Sequence, residues 1–394
     1  MASVNPVRLL LPALVFLLGP GCAAPPDPAG EPGAPLPGLS AEALERFRLG
    51  LAEFDRIYSA EEGAGPFLNE NQCSACHTHP AQGGTGEQSV VKDTRFEPPD
   101  RCDLLAAQGG DNVQIKTTPA LQALGVARRP APTGGTEHGL FRVPFLYGLG
   151  LVEAVPEADI LARADPDDRD GDGISGRAGR DGNGRLARFG RKADNATVAD
   201  FTAGALLLEM GVTSPSRPSE APLPAGIDPA VVDPASDPEV SGETVGLLAD
   251  FVRLLAPVAR RAPSDAEDRE YIERGERLFA GTGCTACHVP AMTTARSADP
   301  ALDRKTVRLY SDLLLHDLGA ELASVCAPGA TPAEHRTEPL MGLRYRSRYL
   351  HDGRARDLMD AVLLHGGEAQ ASRDAFNALD RLEQEAVIRF LNTL

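Results

Sequence analysis

Two short motifs constrain this 394-residue chain more than any other feature of its sequence. Residues 73–77 read CSACH and residues 284–288 read CTACH, so each motif has two cysteines three residues apart and a histidine directly after the second. Zinc sites and thioredoxin-like redox sites also use a C-x-x-C pair. Zinc, however, takes four ligands, and a thioredoxin-like pair follows a strand of an α/β fold. Covalent attachment of haem c is the chemistry that uses the adjacent histidine, as a ligand to the iron.

The sequence around the motifs favours haem over the two alternatives. The segment 264–284, SDAEDREYIERGERLFAGTGC, has the pattern of a helix that ends in glycine, and no alternating β pattern flanks either motif. We therefore predict two thioether-bound haem groups, each with a proximal histidine. Their attachment and ligand residues are Cys73, Cys76 and His77 for the first haem, and Cys284, Cys287 and His288 for the second.

The sequence surrounding the motifs occurs twice along the chain. An amphipathic helix is predicted before each motif, in residues 41–58 and 267–279. A basic turn that leads into an apolar helix follows each motif, in residues 189–211 and 349–367. This order predicts a mainly α fold of two tandem cytochrome-c-like helical domains, each with one covalently attached haem c.

We place the first domain, with insertions, at residues 40–260 and the second at residues 261–394. Each copy also contains an arginine followed by a proline and a Gly-Leu pair, in RVPFLYGLG from Arg142 and RTEPLMGLR from Arg336. Because a guanidinium group matches the geometry of a carboxylate, we predict that both arginines bind haem propionates. The alternative is that each is an ordinary surface arginine.

The start of the chain has the pattern of an export signal. An apolar run at residues 9–18 follows Arg8, is too short to span a bilayer and ends near Cys22. We predict a signal peptide at residues 1–22, of the lipoprotein type, followed by a Pro/Gly-rich tether at residues 23–39. The protein is then expected in the periplasm or cell envelope, anchored by lipid on Cys22; ordinary secretion with cleavage a few residues later is the alternative.

Cysteine usage and charge add two further expectations. Cys102 and Cys326 lie outside the motifs, and in an exported protein such a leftover pair is a candidate disulfide. Acidic residues number 56 and basic residues 39, which gives a net charge of −17 and argues against nucleic acid as a partner. The acidity is explained by solubility or by steering of a basic redox partner.

Several stretches together resemble the bacterial di-haem oxidoreductase family, whose relatives are the di-haem cytochrome c peroxidases and the methylamine-utilisation di-haem enzymes. The stretches that carry the likeness are DGDGISGR, EMGVTS, YSDLLLHDLG, YLHDGRA and LLHGGEA. The likeness extends from about residue 45 to the C-terminus. It implies a peroxidase-like fold and a two-haem electron path, and it does not fix a substrate.

The resemblance implies a second axial ligand for the second haem. The peroxidase relatives place this ligand fourteen residues beyond the histidine of HDG, which is His351 here, so the matching residue is His365. Met341 is the rival ligand. Two histidine ligands would give a lower reduction potential than histidine with methionine. A role for His365 in capping a helix C-terminus is the simpler alternative.

The first haem lacks an evident second ligand. The position that matches His365 offers only alanine and leucine, and the remaining candidates are His79, His138 and Met210. The simplest expectation is an open iron. Glu209, in LLEMG, matches the place where the peroxidase relatives carry a distal glutamate, so the resemblance implies an acid–base role toward peroxide.

An acidic loop is a candidate Ca²⁺ site, and a missing tryptophan is a departure from the family pattern. In DPDDRDGDGISG, Asp168, Asp170 and Asp172 alternate before Gly173, as in a Ca²⁺ loop, although no glutamate stands at the twelfth position. Either Ca²⁺ or a solvated turn fits this pattern. The chain contains no Trp, and Arg191 stands where the family usually shows one.

The leading functional prediction is an exported, peroxidase-like di-haem c-type oxidoreductase, with electrons entering at the second haem and the oxidant reacting at the first. The alternative is a non-catalytic di-haem electron-transfer protein. Oxidation of a protein partner and thiol–disulfide exchange are further candidates. We expect a small redox protein or a quinol-linked electron donor, and peroxide or another small oxidant. We expect no nucleic acid, and membrane association only through a lipid anchor.

Overall fold

The computed structural model describes residues 28–220 and 222–394. The α-helices are α1 (Ala41–Phe54), α2 (Pro119–Ala123), α3 (Leu149–Glu153), α4 (Glu157–Leu161), α5 (Val198–Met210), α6 (Pro229–Val232), α7 (Gly242–Leu254), α8 (Ala266–Gly281), α9 (Leu358–Leu363), α10 (Gln370–Asn377) and α11 (Arg381–Leu391). The strands are β1 (Phe67–Leu68), β2 (Ser89–Glu97), β3 (Arg101–Asp103), β4 (Lys116–Thr117), β5 (Glu137–Arg142), β6 (Met292–Thr293), β7 (Thr306–Val307), β8 (Leu315–Asp317) and β9 (Glu334–Arg336).

Helices are the main regular elements, but they account for only 33% of the chain. The prediction of a mainly α fold is therefore too strong. Long loops connect the helices, and the largest sheet among the described residues is an antiparallel one with the strand order β3–β2–β5. This sheet belongs to an insertion that follows the first motif. The other strands pair only two by two, as β1–β4, β6–β7 and β8–β9.

A glycine-mediated helix crossing occurs once in each repeat. Gly50 of α1 packs against α7, where a Cβ on Gly50 would lie 2.1 Å from the carbonyl oxygen of Leu247. Gly275 of α8 packs against α11, where the corresponding atom would lie 1.9 Å from the oxygen of Ala386. At both crossings the helix axes approach more closely than any side chain would allow. The same type of close helix crossing at a glycine therefore occurs in both repeats.

The four crossing helices begin with the same kind of cap. In each, a serine or aspartate side chain accepts a hydrogen bond from the backbone N–H three residues later, which satisfies a donor that the helix leaves free. The capping residues are Ser40, Ser241, Asp265 and Asp380. Local sequence thus fixes where each helix starts before tertiary contacts add to its stability.

The two repeats contact each other through a reciprocal pair of backbone hydrogen bonds. The N–H of Arg142 donates to the carbonyl oxygen of His351 at 2.8 Å, and the N–H of Arg336 donates to that of Arg191, also at 2.8 Å. Arg142 and Arg336 occupy matching positions in the repeat, and so do Arg191 and His351. The repeats are therefore packed with approximate two-fold symmetry.

The cores of the two repeats are separate but not confined to the predicted domains. The second core is built from residues after 271, on α8, α9, α10 and α11 and at Tyr310, Leu343 and Leu394. The first core also takes in Met292, Leu309 and Met341 from beyond the predicted boundary at residue 260. The boundary at residue 260, between α7 and α8, stays a prediction, and the loop after the second motif packs on the first core.

The described part of the predicted tether, residues 28–39, is packed against the protein rather than free. Leu36 is only 2% exposed, and its N–H donates to the carbonyl oxygen of Leu254 at 2.7 Å. Gly30 pairs with Val258 in an isolated parallel bridge. Because the segment is rich in proline and glycine, the sequence did not indicate that Leu36 would be buried. The predicted signal peptide and Cys22 lie outside the described residues.

A disulfide links the insertion to the second repeat. Cys102 of β3 is bonded to Cys326, with 5.8 Å between their Cα atoms, so the candidate disulfide is confirmed. It closes a very long stretch of chain, and cross-links of this kind restrict the unfolded state most. Among the described helices, none is both long enough and apolar enough to cross a membrane.

The crossing glycines give the first prediction. Gly50→Ala and Gly275→Ala should each lower the free energy of unfolding by about 2–3 kcal/mol, because the added methyl group forces the helices apart. Denaturant-induced unfolding measures this change.

Gly246→Ala, within α7, is the matched control. Its Cβ would meet no atom closer than 3.6 Å, so the better helix propensity of alanine should leave stability unchanged or raise it by about 0.5–1 kcal/mol. Equal effects at positions 246 and 275 would show that the crossings are not close-packed.

Candidate functional site

Both motifs form a single 3₁₀ turn, at Cys73–Ala75 and Cys284–Ala286. The four motif cysteines are free, whereas Cys102 and Cys326 are joined to each other. The four cysteines that could bind a cofactor are therefore not the two that form the disulfide.

The motif thiols lack the character of redox-active cysteines. Burial raises the pKa of both Cys73 and Cys76 to about 12, and the pKa of Cys284 is also raised by burial. Reactive cysteines instead have lowered pKa values in electropositive surroundings, because the thiolate is the nucleophile. This environment argues against thiol–disulfide exchange and is compatible with thioether bonds.

The two motif histidines are held in the same way. Nδ1 of His77 donates to the carbonyl oxygen of Gly84 at 2.9 Å, and Nδ1 of His288 donates to that of Tyr310 at 2.8 Å. Burial lowers the pKa of each imidazole to about 4, so both rings are neutral at pH 7. With the proton on Nδ1, the lone pair lies on Nε2, the arrangement found in metal-ligating histidines.

A phenylalanine from the preceding long helix packs beside each of these imidazoles. The ring centroids of Phe54 and His77 are 6.1 Å apart, and those of Phe279 and His288 are 6.2 Å apart. Each phenylalanine follows the crossing glycine of its helix by four residues. The helix crossing and the histidine position are therefore coupled in both repeats.

His365 is placed to act with His288. Its Nδ1 donates to the carbonyl oxygen of Ala361 at 2.7 Å, which again leaves the lone pair on Nε2. Burial lowers the pKa of His365, and its charge would interact with that of His288. Met341, the rival ligand, instead packs in the first core, where its sulfur lies 3.1 Å from the position of a Cβ on Gly148. Ligation of the second haem by His365 stays a prediction.

The first motif has a carboxylic acid beside it. Glu209, near the end of α5, interacts electrostatically with Cys76. Its two carboxylate oxygens accept hydrogen bonds from the side-chain amides of Asn69 and Asn112, each at 2.7 Å. Burial raises the pKa of Glu209, and the two amides act against this rise by favouring the ionised form.

Asn69 and Asn112 are site residues that the sequence analysis missed. Asn69 is 8% exposed and Asn112 only 1%, and the amide of Asn69 also donates to the side-chain oxygen of Asn112 at 3.1 Å. They are 43 residues apart and neither belongs to a recognisable motif. The one available signal was a polar residue a few positions before the first cysteine.

The other candidate ligands of the first haem are less well placed. His138 lies on β5 with its side chain 70% exposed, and its Nδ1 is 2.5 Å from a carboxylate oxygen of Asp93. His79 is exposed. Met210 is buried, with its sulfur 3.9 Å from that of Cys73. Of the candidates, only Met210 is near the first motif in the interior of the protein.

His316, beside the second motif, is a structural histidine. Its Nε2 is 2.8 Å from Asp312 and its Nδ1 is 2.7 Å from Glu368, so both ring nitrogens are bound to carboxylates. Although burial opposes protonation, these hydrogen bonds raise the pKa of His316. The other oxygen of Glu368 accepts a hydrogen bond from the hydroxyl of Ser175 at 2.8 Å.

The two predicted propionate ligands lie in a cluster of arginines. Glu338 makes ion pairs with Arg191 at 2.9 Å, Arg336 at 2.6 Å and Arg346 at 3.2 Å. Although burial acts to raise it, these guanidinium groups lower the pKa of Glu338 to about 2. Arg142 is bonded to the backbone and side chain of Glu87. Propionate binding stays a prediction for Arg142 and Arg336.

The acidic loop brings its three aspartates together. One carboxylate oxygen from each of Asp168, Asp170 and Asp172 lies within 4.8 Å of the others, and two of the three residues are exposed. One oxygen of Asp168 accepts a hydrogen bond from the N–H of Gly173 at 3.1 Å. An acidic turn of this kind is also stable without an ion, so Ca²⁺ binding stays a prediction.

The amide pair around Glu209 gives a second prediction. Asn112→Leu removes a donor to the ionised carboxylate, so the pKa of Glu209 should rise further, by about one to two units. Infrared difference spectra recorded against pH, with the band assigned by its loss in Glu209→Gln, measure this pKa. Asn71→Leu is the control, because the amide of Asn71 donates to the carbonyl oxygen of Tyr58 instead. An unchanged pKa in Asn112→Leu would contradict the proposed contact.

Three solved structures illustrate what the chain is similar to. A MauG-like protein associated with microbial copper homeostasis has 15% identity and a TM-score of 0.43, covering 94% of both chains. The diheme peroxidase BthA from Burkholderia thailandensis has 14% identity and a TM-score of 0.42, covering 94% of this chain and 95% of its own. Hydrazine synthase from Kuenenia stuttgartiensis has 16% identity and a TM-score of 0.40, covering 99% and 100%. Likenesses of this extent establish neither fold nor activity.

The family comparison is stronger. No curated protein matches the chain significantly. A family model described as "Di-haem oxidoreductase, putative peroxidase" matches residues 138–394, well over half of the chain. The match covers the second motif, His365 and Glu209, and it begins after the first motif. The chain belongs to the di-haem oxidoreductase family of peroxidase-like enzymes.

Proposed function

We propose that this enzyme is an exported, peroxidase-like di-haem c oxidoreductase, in which electrons enter at the second haem and the oxidant reacts at the first. Family membership implies haem cofactors. Attachment through the two motifs is supported by their four free thiols. It is also supported by His77 and His288, whose Nε2 lone pairs are available to iron. When bound, haem supplies the redox chemistry of the reaction.

The different roles proposed for the two haems rest on the different side chains that lie beside the two motifs. Beside the second motif stands a second neutral imidazole, that of His365, with its Nδ1 anchored to a backbone carbonyl. Beside the first motif stands the carboxyl group of Glu209. A site with two imidazole ligands is suited to electron transfer, whereas a site with an acid–base group in place of a ligand is suited to a small substrate.

Glu209 is proposed as the proton-transfer residue for peroxide. Its raised pKa brings the carboxyl group closer to neutral pH, where it can take a proton from one peroxide oxygen and return it to the leaving oxygen. Asn69 and Asn112 each bond one carboxylate oxygen and so fix the plane of the group. They are positioning residues for Glu209.

The arginine cluster is proposed to receive haem propionates. Three guanidinium groups share the single carboxylate of Glu338, which leaves positive charge in excess in a largely buried place. The pKa of Arg336 is lowered by burial and that of Arg346 is lowered to about 10 by burial and by Arg191. Additional carboxylates would relieve this repulsion, and propionates are carboxylates.

The donor is proposed to be a small redox protein with a basic surface or a quinol-linked donor, because the chain carries a net charge of −17. The proposed location is the periplasm or cell envelope, with a lipid anchor on Cys22. The disulfide between Cys102 and Cys326 supports an oxidising compartment.

Spectroscopy of the haem-loaded, mature protein tests the proposal. Electronic and EPR spectra of the half-reduced protein should show one low-spin haem and one high-spin haem that binds cyanide. Glu209→Gln should slow the reaction with peroxide by about a hundredfold or more and leave cyanide binding intact, because only proton transfer is removed.

Glu70→Gln is the matched control for Glu209→Gln. Glu70 also lies near Cys76, but it is paired with Lys116 at 2.5 Å near the surface. Its substitution should leave the peroxide reaction unchanged. Two low-spin haems that refuse cyanide in the half-reduced protein would instead identify a non-catalytic electron carrier. Equal losses in the two variants would exclude the role of Glu209.

A further inference from the structure

A pocket of about 430 Å³ lies next to α5, and neither Glu209 nor Asn69 and Asn112 line it. Leu207 and Leu208, the neighbours of Glu209 on α5, form one wall, and Phe67 contributes a second apolar surface. The exposed residues Ala106 and Ala107 line its opening. Its volume is in the range of small-molecule sites.

Arg129 projects a fixed guanidinium group into this pocket. The residue is only 5% exposed, and its Cζ lies 4.0 Å from the centroid of the Phe67 ring. Nε donates to the side-chain oxygen of Gln114. Gly109 leaves room for the stem, because a Cβ there would lie 2.3 Å from Cδ of Arg129. Contacts with Phe67, Gln114 and Gly109 thus fix the position of the guanidinium group in the absence of a ligand.

The end of the guanidinium group is without a protein partner in the described part of the chain. No carboxylate of residues 28–220 or 222–394 is recorded in an ion pair with Arg129, and its two Nη groups make no hydrogen bond to these residues. Burial lowers the pKa of Arg129 to about 10, so the group is still charged at pH 7. Asp111 and Glu220 attract this charge without forming an ion pair with it, so the charge is only partly balanced, and an anion bound at the Nη groups would balance it more fully.

Glu220, one of the two acidic residues that line the pocket, is compatible with a bound anion. Burial, followed by the nearby charge of Asp233, raises the pKa of Glu220 to about 9. The raised pKa reduces the negative charge of Glu220 at pH 7 and with it the repulsion of a bound anion. Burial also raises the pKa of Asp111. Arg217, at the exposed edge of the pocket, adds a second positive charge.

We propose that this pocket binds a small organic carboxylate, with the carboxylate on the Nη groups of Arg129 and the apolar body against Phe67 and Leu207. A guanidinium fork can bond both oxygens of a carboxylate at once, and a ring or short alkyl chain suits the apolar walls. The site is distinct from both haem motifs and goes beyond the proposed peroxidase function.

Calorimetric titration of the haem-loaded protein tests the site directly. Benzoate and hexanoate serve as aromatic and aliphatic probes, and benzamide as the neutral counterpart of benzoate. At least one of the two carboxylates should bind at one site per chain, and benzamide should bind at least tenfold more weakly because it carries no charge. Absence of binding by both carboxylates at millimolar concentration would overturn the proposal.

Two neighbouring arginines provide matched variants. Arg129→Gln should weaken binding of the carboxylate by about tenfold or more, whereas Arg128→Gln, at an exposed position, should change it by less than about twofold. Equal losses would point to a non-specific effect of charge and would refute the site. Thermal unfolding and the haem spectrum show whether each variant is folded.

A substitution at the rim keeps the proposal testable if Arg129→Gln does not fold. Ala107→Phe places a ring at the opening while Arg129 stays intact, and it should weaken carboxylate binding by about tenfold or more. Unchanged binding in Ala107→Phe would place the ligand elsewhere. Because binding is measured without turnover, failure of this site and failure of the proposed peroxidase function are distinguishable.

Discussion

The contact between the two repeats is the constraint on which the rest of the structure depends. Matching residues donate across it in both directions, Arg142 to His351 and Arg336 to Arg191. The same contact contains Glu338, whose carboxylate pairs with arginines from both repeats. Charged groups that are largely shielded from water are stable only when their partners are in place. The orientation of one repeat therefore determines that of the other, and with it the spacing of the two motifs.

Burial and the partner of Nδ1 together decide the state of four histidines in this protein. Burial lowers the pKa values of His77, His288 and His365 and keeps these rings neutral, and the bond from Nδ1–H to a backbone carbonyl leaves the lone pair on Nε2. His316 is bound to carboxylates at both nitrogens and holds both protons. A sequence shows which residues are histidines, but it does not show which atom each ring nitrogen will meet.

Features with a local or repeated pattern could be predicted from the sequence, and features made by distant residues could not. The motifs, the candidate disulfide and the helix before each motif follow from spacing and composition. The amides that hold Glu209 and the pocket around Arg129 arise where separate loops meet, so no periodicity marks them. Leu36 was missed for the opposite reason, because a single apolar residue in a Pro/Gly-rich segment carries no pattern.

The functional difference between the repeats follows from where one helix ends. In each repeat a helix follows the basic turn: α5 begins after its N-cap Thr197, and α9 begins after its N-cap Asp357. When the two N-caps are aligned, His365 matches Ala205. In the second repeat this helix, α9, has 6 residues, and the chain turns away at Gly366 directly after the imidazole. In the first repeat α5 has 13 residues, and its extension carries Glu209 to the motif and Leu207 to the wall of the Arg129 pocket. One scaffold thus provides a histidine at one motif and an acid at the other, because α5 continues to the left-handed Gly211 whereas α9 already ends at Leu363.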